Sequence, residues 1–224
     1  MLQIDYRKYP LPRLRHHASA YLYIPLAQLR VRPRGYPPVP EQLNWSELFA
    51  NGAPPTCLDV GCGLGRFLLN YAVLHPQENI LGLEVRKKAV EWLDTVIRGE
   101  GIGNAAVLWY SVVNGFPFLA SDSIEHIFYL FPDPWPKKRH HKRRALTPEV
   151  LREFFRVLRP GGQLWLATDV AELDEYHCTL LYEHGGFECE EVHDDSAWGL
   201  PLSDQELFCR QKGIPYVRRR CRKR

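Results

Sequence analysis

The sequence predicts one α/β domain: a mostly parallel, twisted sheet with helices on both faces. Three observations predict it. Short apolar runs alternate with helical stretches from residue 56 onward. A glycine turn, Gly61-Cys62-Gly63-Leu64-Gly65, follows the first run and opens a helix. Acids stand at the ends of four of the runs: Asp59, Glu84, Asp133 and Asp169. Alternating strands and helices require crossovers, which place helices on both faces of a parallel sheet. A chain of 224 residues suffices for one such core.

The elements follow in order. Residues 1–55 are rich in Pro, Arg and aromatic residues and lack a long period, so they are expected to form an irregular basic arm, with a short helix around 44–50. Residues 56–60 read as the first strand, and the glycine turn leads into a helix to about residue 75. Residues 79–84 form a second strand, 87–98 a helix, 105–110 a third strand and 124–131 a fourth. Residues 147–158 are a helix with Thr147 as cap and Pro148 in the first turn. Arg159-Pro160-Gly161-Gly162 ends it. Residues 163–168 make a fifth strand, 171–184 a helix, 187–193 a strand, and a last strand falls within 214–220. The organisation expected is an arm (1–55), a domain (56–217) and a basic tail (218–224).

Composition narrows the class. The chain is 45% hydrophobic and 25% charged, ordinary values for a soluble protein. No apolar run is long enough to cross a bilayer, so no membrane role is expected. The six cysteines form no CxxC pair and no zinc spacing, which predicts no metal site and unpaired thiols in a reducing cytoplasm. The net charge of +3 conceals an asymmetry. Residues 1–40, 137–144 and 218–224 hold nineteen of the 29 Lys and Arg, with Asp5 as their one acid. Positive charge segregated in this way points to a polyanion as partner.

The four acids stand where α/β sheets bind ligands, outside the carboxyl ends of the strands. Gly61 and Gly63 let a ligand approach the backbone. A dinucleotide fingerprint needs a further glycine at the sixth position, which is Arg66 here. Glu84 is placed to take two ribose hydroxyls. An acidic cleft suits a cation, and S-adenosylmethionine carries a sulfonium and an ammonium. The cleft therefore favours this methyl donor over a pyrophosphate cofactor.

Residues 131–144, Phe-Pro-Asp-Pro-Trp-Pro-Lys-Lys-Arg-His-His-Lys-Arg-Arg, hold Asp133 between two prolines beside a dense basic run. The prolines stiffen the loop. Together with Leu58-Asp59-Val60-Gly61-Cys62-Gly63-Leu64-Gly65-Arg66-Phe67, Gly82-Leu83-Glu84 and Ala167-Thr168-Asp169, this stretch resembles the bacterial-type tRNA (guanine-N7-)-methyltransferases over roughly residues 56–217. Ser203-Asp204-Gln205-Glu206, followed by Gly213, resembles the family's Thr-x-x-Glu element.

The resemblance implies a Rossmann-like, class I S-adenosylmethionine-dependent methyltransferase fold. It implies donor contacts from Asp59, Gly61, Gly63, Glu84, Ser111 and Asp133, with Asp133 as the catalytic candidate between donor and base. Lys137, Asp169, Ser203, Asp204, Gln205 and Glu206 would contact the target nucleotide, guanosine 46 in the variable loop of tRNA. Arg139, Lys142, Arg143 and Arg144 are read as contacts to RNA phosphates. The sequence departs from the family pattern at several points. Asp59 stands where Glu is commoner, Ser203 replaces Thr, and Ser111 occupies a position often held by an acid or Asn near the adenine, with Asn114 as the alternative. The arm lacks the family's Gly-Arg-x-Thr-x-x-Gln pattern.

Trp135 has two readings, stacking on the base or packing within its loop. Two other functions compete. Enzymes that methylate exocyclic amino groups carry an acid or Asn, two prolines and an aromatic residue at the end of the fourth strand. Here one proline separates Asp133 from Trp135. A noncatalytic RNA-binding protein would explain the basic runs but not the four strand-end acids.

Overall fold

The computed structural model describes residues 2–14, 18–135 and 143–224. Seven strands form one sheet: β1 (Cys57–Val60), β2 (Ile80–Glu84), β3 (Ala105–Trp109), β4 (Ile124–Leu130), β5 (Leu158–Thr168), β6 (Phe187–Glu191) and β7 (Val217–Lys223). Their order is β3-β2-β1-β4-β5-β7-β6. Pairs from β3 through β5 are parallel, and β7 runs antiparallel to both β5 and β6. Strand order reverses between β1 and β4, which makes their carboxyl ends the switch point for a ligand.

Alternation along the central strands feeds two cores. Cys57, Ile80, Ala105 and Phe128 pack against helices α2 (Arg66–Leu74) and α3 (Lys87–Gly99). Leu58, Leu81, Ala106 and Ile127 face helix α4 (Pro148–Val157) and, with Leu164, helix α5 (Ala171–His184). Both faces of β1 are covered, and all four of its residues are buried, the pattern of a central parallel strand. Thr147 caps α4 through Val150 N, with Pro148 in the first turn.

The arm lies against this sheet. Trp45–Leu48 forms a one-turn helix, α1, capped by Asn44. Ala20–Tyr23 and Leu26–Gln28 are single 3-10 turns. Tyr9, Leu22 and Tyr36 are buried, and the Leu2 amide donates to Asn70 Oδ1 at 2.8 Å. The described residues of the arm are thus held to the domain at several points.

The fifth strand begins earlier than expected: Leu158 already pairs with Ile124, and Arg159-Pro160-Gly161-Gly162, with Gly161 at φ +77°, bulges within the strand before pairing resumes at Gln163. A larger difference concerns residues 218–224, read as a tail. Residues 218–223 belong to β7, between β5 and β6. Arg220 and Arg222 stand opposite Glu190 and Glu188. Arg219 pairs with Asp174, and the buried Lys223 amine donates to Asp122 and to the Phe155 and Leu158 carbonyls. Acids of β6 thus meet part of the basic run of β7, while Arg218 pairs with Glu206 and Asp195. The thiol expectation is corrected at one pair: Cys189 and Cys221 are register partners and form a disulfide, while Cys57, Cys62, Cys178 and Cys209 are free. Two helices in the region 194–213 were not foreseen, α6 (Asp195–Trp198) and α7 (Asp204–Lys212).

Candidate active site

A cavity opens at the switch point, with an empty volume of about 790 Å³ including its mouth. Gly61, Glu84, Arg86, Tyr110 and Asp133 line it, with Ala18 and Tyr23 of the arm on the remaining side. Gly61 has φ +81°, and a Cβ placed there would meet no protein atom. The turn therefore presents bare backbone to whatever fills the cavity.

Two expected acids, Glu84 and Asp133, line the cavity, and a third, Asp59, is buried near Glu84. The Glu84 carboxylate is almost fully buried and takes four hydrogen bonds: from the Gly63 amide at 3.1 Å, the Arg86 amide at 2.8 Å, and Arg86 Nε and Nη2 at 3.0 Å each. Asp59 is buried and does not line the cavity, whereas its chain neighbours Val60 and Gly61 do. Its Oδ2 is buried without a hydrogen-bond partner. Burial and the nearby Glu84 push its carboxyl up to about 8. Asp133 Oδ2 accepts a hydrogen bond from the Tyr23 hydroxyl at 2.9 Å. The backbone on both sides of Asp133 is unusual: Phe131 and Trp135 have φ of +50° and +45°. Non-glycine residues occupy that region at a cost, and such outliers concentrate at functional sites.

Ser111, expected at the adenine, does other work. It is buried, and its hydroxyl donates to the Leu22 carbonyl of the arm. Its neighbours Tyr110 and Val112 line the cavity instead. Asn114 also holds the arm, accepting from the Leu26 amide at 2.8 Å. Trp135 is buried, with its ring edge-to-face on Tyr23 at 5.5 Å and the Arg143 guanidinium 5.0 Å from its centre. Trp135 thus packs against Tyr23 of the arm and beside Arg143 of its own loop.

The target-side group comes together only in part. Asp169 Oδ2 accepts from Gln205 Nε2 at 2.9 Å, and Asp204 accepts from Arg66 Nε at 2.6 Å. Ser203 caps α7 through the Glu206 amide at 3.1 Å. Glu206, expected to meet the nucleotide, is 1% exposed. Its Oε1 accepts from Arg218 and Arg210. That carboxylate ties α7 to β7 rather than facing a ligand. Arg144 is corrected likewise. It is buried, donating to the Pro134 carbonyl at 3.2 Å and to Glu172 at 3.0 Å, which fastens the Asp133 loop to α5. Arg143 stays partly exposed beside Trp135. Lys137, Arg139 and Lys142 lie outside the described residues. Among the described residues no cluster of His, Cys, Asp and Glu could hold a metal, and no helix is long and apolar enough to cross a membrane.

Sequence reasoning missed Arg86 and Tyr23. Arg86 had a local signal, two residues beyond Glu84 at the end of a strand. Tyr23 had none, since it reaches Asp133 across 110 positions.

A family model described as "Putative methyltransferase" matches residues 53–204. The tRNA (guanine-N(7)-)-methyltransferase of Mus musculus is 34% identical over 218 residues, covering 83% of this chain and 80% of the mouse protein. The enzyme of that name from Thermosynechococcus vestitus is 34% identical over 184 residues, covering 81% of this chain and 84% of its own. The chain belongs to the tRNA (guanine-N7-)-methyltransferase family. Among solved structures, a SAM-dependent methyltransferase from Aquifex aeolicus superposes with a TM-score of 0.52 at 19% identity, over 75% of this chain and 81% of that one. At that identity the likeness establishes a shared Rossmann-like methyltransferase fold. In this family member, then, the cavity at the β1/β4 switch lies between the glycine turn and the Asp133 loop.

Proposed function

We propose that this protein transfers a methyl group from S-adenosylmethionine to N7 of a guanosine in tRNA, at position 46 of the variable loop, in the cytoplasm. One observation carries the reading: in a chain of this family, Glu84 and Asp133 line one cavity beside a glycine turn, with the buried Asp59 near Glu84. The residues fit the donor. Glu84 can accept from ribose hydroxyls, and the Gly61–Gly63 backbone leaves room beside them. The partnerless Asp59 Oδ2 gives a buried acceptor close to where a cationic group would lie. When bound, the donor supplies an activated methyl group on a positively charged sulfur.

The protein's own part is positioning and charge. Guanine N7 offers an in-plane lone pair and no proton to lose, so no strong base is required. Holding the base in line supplies several kcal/mol of the barrier reduction. The imidazole ring of the product is cationic, and the Asp133 carboxylate stabilises that charge as it develops. Asp169, held by Gln205, supports recognition of the guanine N1–H and amino group. Lys137, Ser203 and Asp204 complete the proposed target side, and Arg139, Lys142 and Arg143 engage phosphates, which position without specifying.

The test of the site is a pair of tRNA transcripts, one with guanosine at position 46 and one with adenosine there. Methyl incorporation is expected in the first and absent in the second. Equal incorporation in both would contradict the assignment.

A further inference from the structure

Tyr23 reaches the reaction site from the arm. Its hydroxyl donates to Asp133 Oδ2 at 2.9 Å, and its ring stands edge-to-face against Trp135 at 5.5 Å. It also lines the donor cavity. Burial and the neighbouring Asp133 carboxylate raise its hydroxyl, so it remains a proton donor at any working pH.

The segment carrying Tyr23 is anchored on both sides. Ser111 donates to the Leu22 carbonyl. Tyr36 donates to the Ile24 carbonyl at 2.8 Å, and the Leu26 amide donates to Asn114 at 2.8 Å. Asn114 in turn donates to the Tyr36 hydroxyl at 2.9 Å. Three side chains thus fix the backbone within three residues of Tyr23. Asp133, by contrast, sits between two prolines on a loop with left-handed backbone at Phe131 and Trp135. Such a loop is rigid but does not set the rotation of the carboxylate. Tyr23 engages Oδ2, and among the described residues no hydrogen bond is made to Oδ1.

We infer that Tyr23 is a positioning residue for methyl transfer: the arm, pinned by Ser111, Asn114 and Tyr36, uses the Tyr23 hydroxyl to orient the Asp133 carboxylate. This rests on the assignment of Asp133 to the chemistry. It gives the 1–55 arm a part in the active site. Groups that act at a reaction centre need partners of this kind to hold their geometry.

The experiment compares wild type, Tyr23→Phe, Asp133→Ala and the double variant in single-turnover methylation at saturating donor and tRNA. Donor affinity, tRNA affinity and melting temperature are measured alongside. Tyr23→Phe removes one hydroxyl and keeps the ring. It should lower the rate about tenfold to a hundredfold, the effect of losing a hydrogen bond to a charged group. Both affinities and the melting temperature should stay at wild-type values, and the double variant should be no slower than Asp133→Ala alone. A rate in Tyr23→Phe equal to or above wild type, with Asp133→Ala slow, would overturn the role of Tyr23 and leave that of Asp133 standing. Weaker donor binding that accounts for the whole loss would also overturn it, making Tyr23 a donor ligand. A wild-type rate in Asp133→Ala would overturn both assignments together.

Discussion

Arg86 closes on Glu84 as a fork, with Nε on Oε1 and Nη2 on Oε2, each at 3.0 Å. The acid expected to hold the donor's ribose is therefore already paired in the free protein. A ribose reaching Glu84 must share or displace this guanidinium. Glu84→Ala should weaken S-adenosylmethionine binding by about 1–3 kcal/mol and leave tRNA affinity near that of wild type. Calorimetric titration of donor checks this. Wild-type donor affinity in the variant would remove Glu84 from the site.

Glu206 and Arg218 form a buried ion pair, each under 5% exposed. Stranding one partner of such a pair costs about 3–5 kcal/mol, but without Glu206 the Arg218 guanidinium keeps Asp195 Oδ1 at 2.7 Å, which holds the loss to about 1–3 kcal/mol. Glu206→Ala should thus lower stability in urea denaturation by an amount in that range. A variant as stable as wild type but poor in tRNA use would return Glu206 to the target side.

Asp59 links stability to pH. Its carboxyl is raised from 3.8 to about 8 in the folded protein, by burial first and then by Glu84. Below about pH 4 both folded and unfolded states hold the proton, and the group costs nothing. As pH rises from there the unfolded chain releases the proton while the folded one retains it, so stability falls until about pH 8 and then levels off. Asp59→Asn lacks this loss. The gap in melting temperature between variant and wild type should widen from pH 4 to pH 8. A gap constant across that range would show that Asp59 is ionised throughout.

The basic segments divide by salt dependence. Each lost phosphate contact should make the slope of log affinity against log salt shallower by about 0.7–0.9. A Lys142→Ala, Arg143→Ala double variant should show this change. Arg220→Ala should not, because Arg220 is paired with Glu190 across the sheet. Equal slopes in wild type and the double variant would exclude that run from the RNA surface.

The central strands and their terminal acids were legible because burial on both faces leaves continuous apolar runs that end abruptly. Residues 171–184 matched a helix from end to end. The expected last strand within 214–220 covers only the start of β7, and 218–224 reads as a tail because its alternation is hidden: Arg and Lys occupy both faces, and Glu188 and Glu190, which meet Arg222 and Arg220, lie about thirty positions upstream in β6. Helix α7 was missed because Ser203-x-x-Glu206 was taken as a binding element. It is also a helix start, with Ser203 capping the Glu206 amide. Tyr23 was illegible for a different reason. Its partner is brought to it by tertiary packing of an arm with no period of its own.

The proposed reaction is methyl transfer to guanine N7 with Asp133 beside the reacting atoms. The direct measurement incubates labelled S-adenosylmethionine with unmodified tRNA and wild-type, Asp133→Ala or Asp133→Asn protein, then digests the RNA to nucleosides. Wild type should yield label in 7-methylguanosine, and both variants should transfer far more slowly while binding tRNA normally, since the lost interaction belongs to the transition state. Label in a guanosine methylated on its amino group, or no label at all with wild type, would contradict the account.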